Sequence, residues 1–383
     1  MTVQAVVWIA LGLVAHTYVI YPVLVVVLCR LARSQAAPRP AMSTFPDVAI
    51  VVAACNEERH IAGRIRNLRL LDYPQDRLHI YVGSDGSTDN TVTLAQVEAS
   101  PQLRVFPFER RRGKASVLND LMQAVSEDLV VFTDANTSFD RSAVRELVGN
   151  FSDESVGAVS GELRLQSSLR HTDNQDGSYW RLETSLKTGE SRVGGLLGAN
   201  GGIYAIRRQL YRQLPPDTIV DDFTIVMTVA ALGWQTIFEP RALAFEDLPP
   251  GIDDEFHRRV RIGTGNYQAF FRHPEYWTDA SWSRRFIYLS HKVLRWFTPH
   301  LLLIALAATL LLAQQPFYRL LLTAQIAVYA TLAACMLLRR HVRLPRLVNL
   351  PLFFFALNVA FIVGFWRYVA GASSGQWRRT ERT

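Results

Sequence analysis

Cysteine is scarce, with only 3 in 383 residues. Cys29 and Cys335 sit inside apolar runs and Cys55 inside a strand-like run. That placement excludes a disulfide framework and a cysteine-based zinc site. Phosphate-binding glycine motifs are missing as well. No G-x-x-x-x-G-K-[ST] occurs, and no G-x-G-x-x-G follows a strand, which argues against an ATPase or a nicotinamide enzyme. The absence of H-E-x-x-H and G-x-S-x-G leaves zinc peptidase and serine hydrolase chemistry without support. Charged residues make up only 20% of the chain against 49% hydrophobic, so global disorder is excluded. The net charge of +7 does not point to nucleic acid, because the arginines gather at the edges of apolar runs, where anionic lipid explains them better.

Apolar sequence is abundant, but at the two ends. Val3–Cys29 carries no charged side chain apart from the ionisable His16. It is long enough to cross about 30 Å of hydrocarbon at about 1.5 Å per residue. A cleaved signal peptide fits poorly, since no basic residue precedes the run and no small-residue cleavage site follows it. Arg30, Arg33 and Arg39 come next, which places the following segment in the cytoplasm and the N-terminus outside. Near the other end, His300–Ala313, Leu320–Leu338 and Leu350–Ala370 are further apolar runs, and Arg339, Arg340, Arg343 and Arg346 cluster between the last two. Ser283–Trp296 mixes four basic residues with Phe286, Leu289, Leu294 and Trp296, the pattern of an amphipathic helix in the interface, with core packing as the alternative. Charge and count conflict at the tail: one span before the middle and three after would put Arg378, Arg379 and Arg382 outside. The expected division is a membrane helix over 1–30, a linker over 31–46, a cytoplasmic domain over 47–282, an interface helix over 283–298, membrane helices over 299–371 and a basic tail over 372–383.

Between the oily ends, strand-like and helix-like segments alternate. Val48–Ala53, Leu78–Gly83, Leu103–Phe106 and Leu129–Phe132 read as strands. Glu57–Leu70, Thr88–Ala99, Lys114–Val125 and Arg141–Asn150 read as helices, and Val156–Ser160 as extended. This order predicts a mostly parallel sheet with helices on both faces. Ligands bind such sheets outside the carboxyl ends of the strands. The polar tips after the strands are therefore the candidate site: Asn56-Glu57, Ser84-Asp85-Gly86-Ser87 and Asp134-Ala135-Asn136.

Those tips have a family look. Val51-Val52-Ala53-Ala54-Cys55-Asn56-Glu57, Gly83-Ser84-Asp85-Gly86-Ser87-Thr88-Asp89, Thr133-Asp134-Ala135-Asn136, Gly201-Gly202, Val220-Asp221-Asp222 and Arg258-Arg259-Val260-Arg261 follow one another in order. The set resembles the family-2 glycosyltransferases, over about residues 48–270. The flanking apolar helices are arranged much as in the bacterial cellulose, hyaluronan and poly-N-acetylglucosamine synthase group. The resemblance implies a GT-A-like, Rossmann-type α/β domain, mostly parallel in its sheet, flanked by transmembrane helices.

It also implies roles, each beside a plainer reading. Asp85 is either a turn residue capping the next helix or, with Glu57, a contact to the nucleoside; Ala54 and Asn56 belong to the same nucleotide-sugar pocket. Lys114 opens a helix, where a basic residue is disfavoured unless it serves an anion, so a diphosphate or nucleobase contact stands against a solvated loop. Asp134 and Asn136 hold the D-x-D place and would ligate Mg²⁺ or Mn²⁺, with less charge than two aspartates give. Asp222 takes the place of the family's general base, with Asp221 supporting it, although adjacent acids at a helix start also serve as caps. Arg261 matches the arginine of Q-x-x-R-W and would stabilise the leaving diphosphate. Arg258 and Ile262 replace the Gln and Trp of that motif. Gly201 lies in the acceptor-side loop, and Trp180 and Trp234 offer either a stacking face for sugar or core packing.

The expected activity is inverting transfer of a sugar from a UDP-sugar to a glycan or lipid-linked acceptor, in extracellular polysaccharide synthesis. The expected location is the inner, plasma membrane, with several spans and the catalytic domain in the cytoplasm. Two alternatives stay open: a processive synthase that also exports its polymer, with other polysaccharide-export proteins as partners, and a non-catalytic nucleotide-sugar-binding subunit.

Overall fold

The computed structural model describes residues 2–31, 44–166, 183–191, 195–247, 252–338 and 346–371. The described residues form two compact units. One draws on Met1–Val27, Gly251–Phe271 and Phe286–Ala372, and the other on Leu28–Pro250 and Arg272–Arg285.

Helix α1 opens the chain over Val3–Ala15, passes through a π-helical turn at His16–Ile20 and continues over Tyr21–Leu31. The sheet unit then follows the alternation expected of it: β1 (Val48–Ala54), α2 (Ile61–Arg69), β2 (Leu78–Asp85), α3 (Thr91–Val97), β3 (Leu103–Phe108), α4 (Lys114–Ala124) and β4 (Leu129–Asp134). Next come β5 (Thr137–Phe139), α5 (Ala143–Val148), β6 (Val156–Gln166), helix α6 over 183–191, β7 (Tyr204–Arg207), α7 (Asp221–Ala231) and β8 (Gln235–Asp247).

The eight strands make one sheet in the order β3-β2-β1-β4-β7-β6-β8-β5. β1 to β4 are parallel, β7 runs against β4 and β6, β8 is parallel to β6, and β5 closes the edge antiparallel to β8. The sheet is thus mixed, parallel in its first half. β1 is buried at every position, as a central strand covered on both faces must be. Its side chains alternate between two cores. Ile50 and Val52 join Ile61, Ile65 and Leu68 of α2 and Val144 and Leu147 of α5. Ala49, Val51 and Ala53 face Val117, Leu118 and Leu121 of α4, in a cluster that also holds Ile225, Val226 and Val229 of α7. Since α4 and α7 cover the same face, their N-termini both reach the carboxyl end of β4.

Helix α8 (Ile252–Arg272) lies in the other unit. The sequence places residues 252–271 in the 47–282 domain; the structure packs them with the apolar helices instead. After α9 (Glu275–Thr278), α10 is one helical run over Trp282–Leu311, with a π-helical turn at Tyr288–Val293, so the expected break between an interface helix at 283–298 and a membrane helix is not there. α11 (Pro316–Leu338) and α12 (Arg346–Val369) complete the unit. A Cβ on Gly364 would stand 2.9 Å from the Thr264 nitrogen and 3.1 Å from the Val260 oxygen, so only glycine lets α12 approach α8 this closely. Tyr267 of α8 packs edge-on against Phe297 and Phe365, and Arg259 lies 4.7 Å over the Phe353 ring. These contacts explain the changed boundary: α8 has a face built for helices. Among the described residues four helices are long and apolar enough to cross a membrane: Val3–Leu28, Trp282–Leu311, Pro316–Leu338 and Val348–Val369. The linker at 31–46 and the tail at 372–383 lie almost wholly outside the described residues.

Candidate active site

The first two strand tips are laced together. Asn56 adopts a left-handed backbone (φ 56°), which asparagine tolerates better than other side chains. Its Oδ1 accepts from the Thr88 amide at 2.8 Å, and its own amide donates to Ser87 Oγ at 3.0 Å. The Glu57 amide donates to Thr91 Oγ1 at 2.7 Å, and the Glu57 carboxylate meets His60 Nδ1 at 2.8 Å. Asp89 takes the helix-start role, accepting from the Thr91 amide at 3.0 Å. Asp85 is 1% exposed. Its Oδ1 accepts from the Arg112 amide at 2.7 Å and its Oδ2 from the Gly113 amide at 2.8 Å. Asp85 therefore fixes the loop that opens α4, and both its oxygens are engaged in doing so. Ala54 is fully buried at the end of β1 and lends only backbone to this edge.

The third tip meets α4 and α7. Lys114, first residue of α4, reaches Asp134 Oδ1 at 2.8 Å and Asp221 Oδ2 at 3.1 Å. A cation at a helix N-terminus opposes the helix dipole, and two acids offset that. Burial alone would pull the ammonium down, but Asp134 and Asp221 outweigh it and hold Lys114 above its usual range. Asp222 sits one residue further into α7, its Oδ1 accepting from the Phe223 amide at 2.8 Å. Burial and the neighbouring Asp221 charge push its carboxyl up to about 6, with Lys114 pulling the other way. Two adjacent acids with one lysine between them and Asp134 thus yield a carboxylate basic enough to take a proton near neutrality.

Gly201 explains its own place. A Cβ there would stand 3.0 Å from Asp222 Oδ2, so glycine leaves the carboxylate its space. The neighbouring Asn200 ties the loop down through its amide to Ser160 Oγ at 3.0 Å and accepts from Lys187 Nζ at 2.8 Å.

The structure brings Lys114, Asp134, Asn136, Asp221, Asp222 and Gly201 together at one end of the sheet. Arg258 and Arg261 lie on α8 in the helical unit. Arg258 pairs with Glu255 at 3.4 Å, and Arg261 is exposed. Trp234 packs against the apolar core beneath α4 and α7, so it is a core residue, and Trp180 lies outside the described residues.

Two residues escape sequence reading. Arg64 on α2 is 3% exposed, lies 4.1 Å over the Phe139 ring and donates to Thr133 Oγ1 at 2.7 Å. Thr133 passes the link on to the Gly202 carbonyl at 2.7 Å, joining α2, β4 and the glycine loop. Burial pulls the Arg64 guanidinium down to about 9, and Asp134 opposes the shift. Glu246 on β8 is the second; its Oε1 accepts from Asn136 Nδ2 at 3.2 Å. An arginine within the polar-apolar alternation of a helix, or an acid at the end of a strand, carries no local signal of such a partner.

Asp134 and the Asn136 amide oxygen offer oxygen donors, the chemistry that suits Mg²⁺ or Mn²⁺, with the Glu246 carboxylate beside Asn136. Among the described residues no three His, Cys, Asp or Glu side chains are grouped to hold a metal alone. The set fits a cation that shares its coordination with substrate phosphates.

The sequence profile of Glycosyl transferase family 2 matches residues 49–214, from β1 through the loop after β7. Residues 49–214 are a family-2 glycosyltransferase domain. The poly-beta-1,6-N-acetyl-D-glucosamine synthase of Staphylococcus epidermidis is 23% identical over 248 residues, covering 63% of this chain and 59% of the relative. That of Staphylococcus aureus is 24% identical over 231 residues, covering 59% and 56%. The match spans less than two thirds of these relatives' length. Among solved structures, mannosyltransferase PcManGT from Pyrobaculum calidifontis, in complex with GDP-Man and Mn²⁺, superposes with a TM-score of 0.74 at 23% identity, over 96% of this chain and 99% of that one. The likeness shows a shared fold, the GT-A fold in the sheet unit.

Proposed function

We propose that this chain is an inverting membrane hexosyltransferase that moves a sugar from a UDP-sugar to a glycan or lipid-linked acceptor on the cytoplasmic side of the plasma membrane, in polysaccharide synthesis. The observation that carries the reading is the Lys114 ammonium lying between Asp134 and Asp221, next to Asp222. It joins an acid suited to a donor's cation with an acid pair suited to an acceptor's proton. Asn56 and Glu57 line the nucleoside pocket. Asp85 shapes it through the Arg112-Gly113 loop. Lys114 neutralises the diphosphate, and Asp134 with Asn136 would hold Mg²⁺ or Mn²⁺, which when bound stabilises negative charge on the leaving phosphates. Asp222 takes the proton of the acceptor hydroxyl as its oxygen bonds to the anomeric carbon. The carbon–oxygen bond to the diphosphate breaks, its electron pair leaves on the phosphate oxygen, and the configuration inverts. Gly201 and Asp221 stand on the acceptor side.

Within this reading, single addition and chain extension differ. The relatives named as poly-N-acetylglucosamine synthases favour extension. Arg258 and Ile262, in place of Gln and Trp, favour a single addition. The test is a donor screen on the purified full chain with Mn²⁺: UDP-glucose, UDP-galactose, UDP-N-acetylglucosamine and UDP-glucuronate, with GDP-mannose as a fifth arm. Release of UDP from one donor, with label passing to an acceptor, is expected. Product size then separates a ladder from one addition. No nucleotide release from any donor would overturn the proposal.

A further inference from the structure

The D-x-N pattern leaves a deficit at the proposed cation site. Asparagine ligates through a neutral oxygen, where a second aspartate would bring a charge. Glu246 stands at that spot from far along the sequence. β8 lies between β6 and β5, and its register sets Glu246 opposite Thr137 on one side and Leu165 on the other, so backbone pairing fixes it beside the residue after Asn136. The strand's alternation turns Glu246 inward, at 7% exposure, and leaves Asp247 exposed. The Asn136 Nδ2 donates to Glu246 Oε1 at 3.2 Å, which commits the amide's nitrogen and turns its oxygen away from Glu246.

We propose that Glu246 is a positioning residue of the cation site: it holds the Asn136 amide with its oxygen presented to the cation, and it supplies the negative charge that asparagine lacks. The inference rests on the glycosyltransferase reading only for the presence of a divalent cation. Partners that orient a metal ligand through a hydrogen bond are worth about 10–100-fold in metal affinity. Charge placed one bond further out still neutralises the cation, while leaving coordination positions for substrate phosphates.

The test uses the full chain in detergent, with Mn²⁺ binding followed by electron paramagnetic resonance and metal-free UDP binding by calorimetry. Glu246→Gln keeps an acceptor for the amide and removes the charge. It should weaken Mn²⁺ about 10-fold or more and leave metal-free UDP binding unchanged. Asn136→Asp combined with Glu246→Gln moves the charge onto the ligand itself and should recover most of the affinity. Mn²⁺ affinity in Glu246→Gln within twofold of wild type would overturn the proposal, as would failure of the double variant to recover. Should Glu246→Gln not fold, Asn136→Asp alone decides. Two facing carboxylates repel, so Mn²⁺ should raise the Tm of this variant more than that of wild type, and an equal or smaller rise overturns the proposal. A wild-type chain that turns over no donor, yet loses Mn²⁺ affinity on Glu246→Gln, would overturn the glycosyltransferase reading and leave the role of Glu246 standing.

Discussion

The two units differ in what they expose and in where they bury polar groups. In the sheet unit the interior is apolar: Ile50, Val52, Ile61, Leu118 and Val131 are fully buried or nearly so, and polar groups collect at the strand tips. In the helical unit Ile9, Val19, Leu303, Ile304, Leu310, Leu320 and Leu337 face outward, while Thr17, Ser290, His291, Thr298, Thr309 and Asn358 are buried. An outward face of large aliphatic side chains on this scale is unstable in water and ordinary in lipid. The buried threonines are satisfied within their own helices: Thr17 Oγ1 donates to the Leu13 carbonyl, Thr298 Oγ1 to Leu294 and Thr309 Oγ1 to Ala305. The comparison teaches that buried polarity has different work in each unit. At the strand tips it gathers the candidate site; between the helices it holds backbone and neighbours in place.

Asp222→Asn tests the first half of that contrast and has the largest expected effect. Removing a general base costs about 10²–10⁴-fold in rate. Nucleotide binding should persist. The sign of its titration sharpens the point. The carboxyl titrates near 6, so below that pH it is protonated and unable to take a proton, and kcat/KM should fall about tenfold per pH unit on the acid side. The folded-state value lies above the ordinary aspartate range, so the ionised form destabilises the fold. Stability from this group is present at low pH and is lost as pH rises through about 6. Asp222→Asn should therefore leave Tm at pH 7.5 unchanged or raised while abolishing turnover. Full turnover in the variant would reject the assignment.

Ile50→Ala tests the other side of the sheet unit. Ile50 is fully buried between β2 and β4 and packs toward α2 and α5. Truncation there should cost about 2–5 kcal/mol by chemical denaturation of the purified chain. Ile304→Ala in the helical unit, where the side chain is 48% exposed, should cost less than about 0.5 kcal/mol. Equal losses would mean that the outward face of α10 is packed against something other than lipid.

How much of this was legible in the sequence follows from the range of each interaction. The first four strands, their order and their acidic tips are local patterns: a β-branched run, then a turn residue, then a helix. Asp85 and Asp134 are found that way, and Asp222 only through the family resemblance. β5, β7 and β8 are not, because a three-residue strand such as Thr137–Phe139 is held by its pairing with Ala244–Glu246, a hundred residues on. Glu246 and Arg64 were invisible for the same reason. The α8 boundary failed differently. Residues 252–272 carry an amphipathic pattern that suits either a soluble domain or a helical bundle, and only the fit of Gly364 against Val260 and Thr264 decides between them.

Ser290→Ala has the smallest expected effect and tests the second half of the contrast. Two π-helical turns, at His16–Ile20 and Tyr288–Val293, meet in the helical unit, where His16 Nε2 and Ser290 Oγ lie 3.0 Å apart. Tyr21 and His291 pack beside them with ring centroids 5.8 Å apart. Such turns are rare and widen a helix locally, which here lets polar side chains from two helices face each other. If the seam is glue, its strength is that of a hydrogen bond between membrane helices, averaging about 0.6 kcal/mol, because the unfolded helices find other partners in lipid. Ser290→Ala should therefore lower stability by about that amount, read by denaturant titration in mixed micelles, and leave the rate of sugar transfer within twofold of wild type. A loss comparable to that of Asp222→Asn in rate would move the seam from scaffold to function, since no packing defect of this size stops turnover.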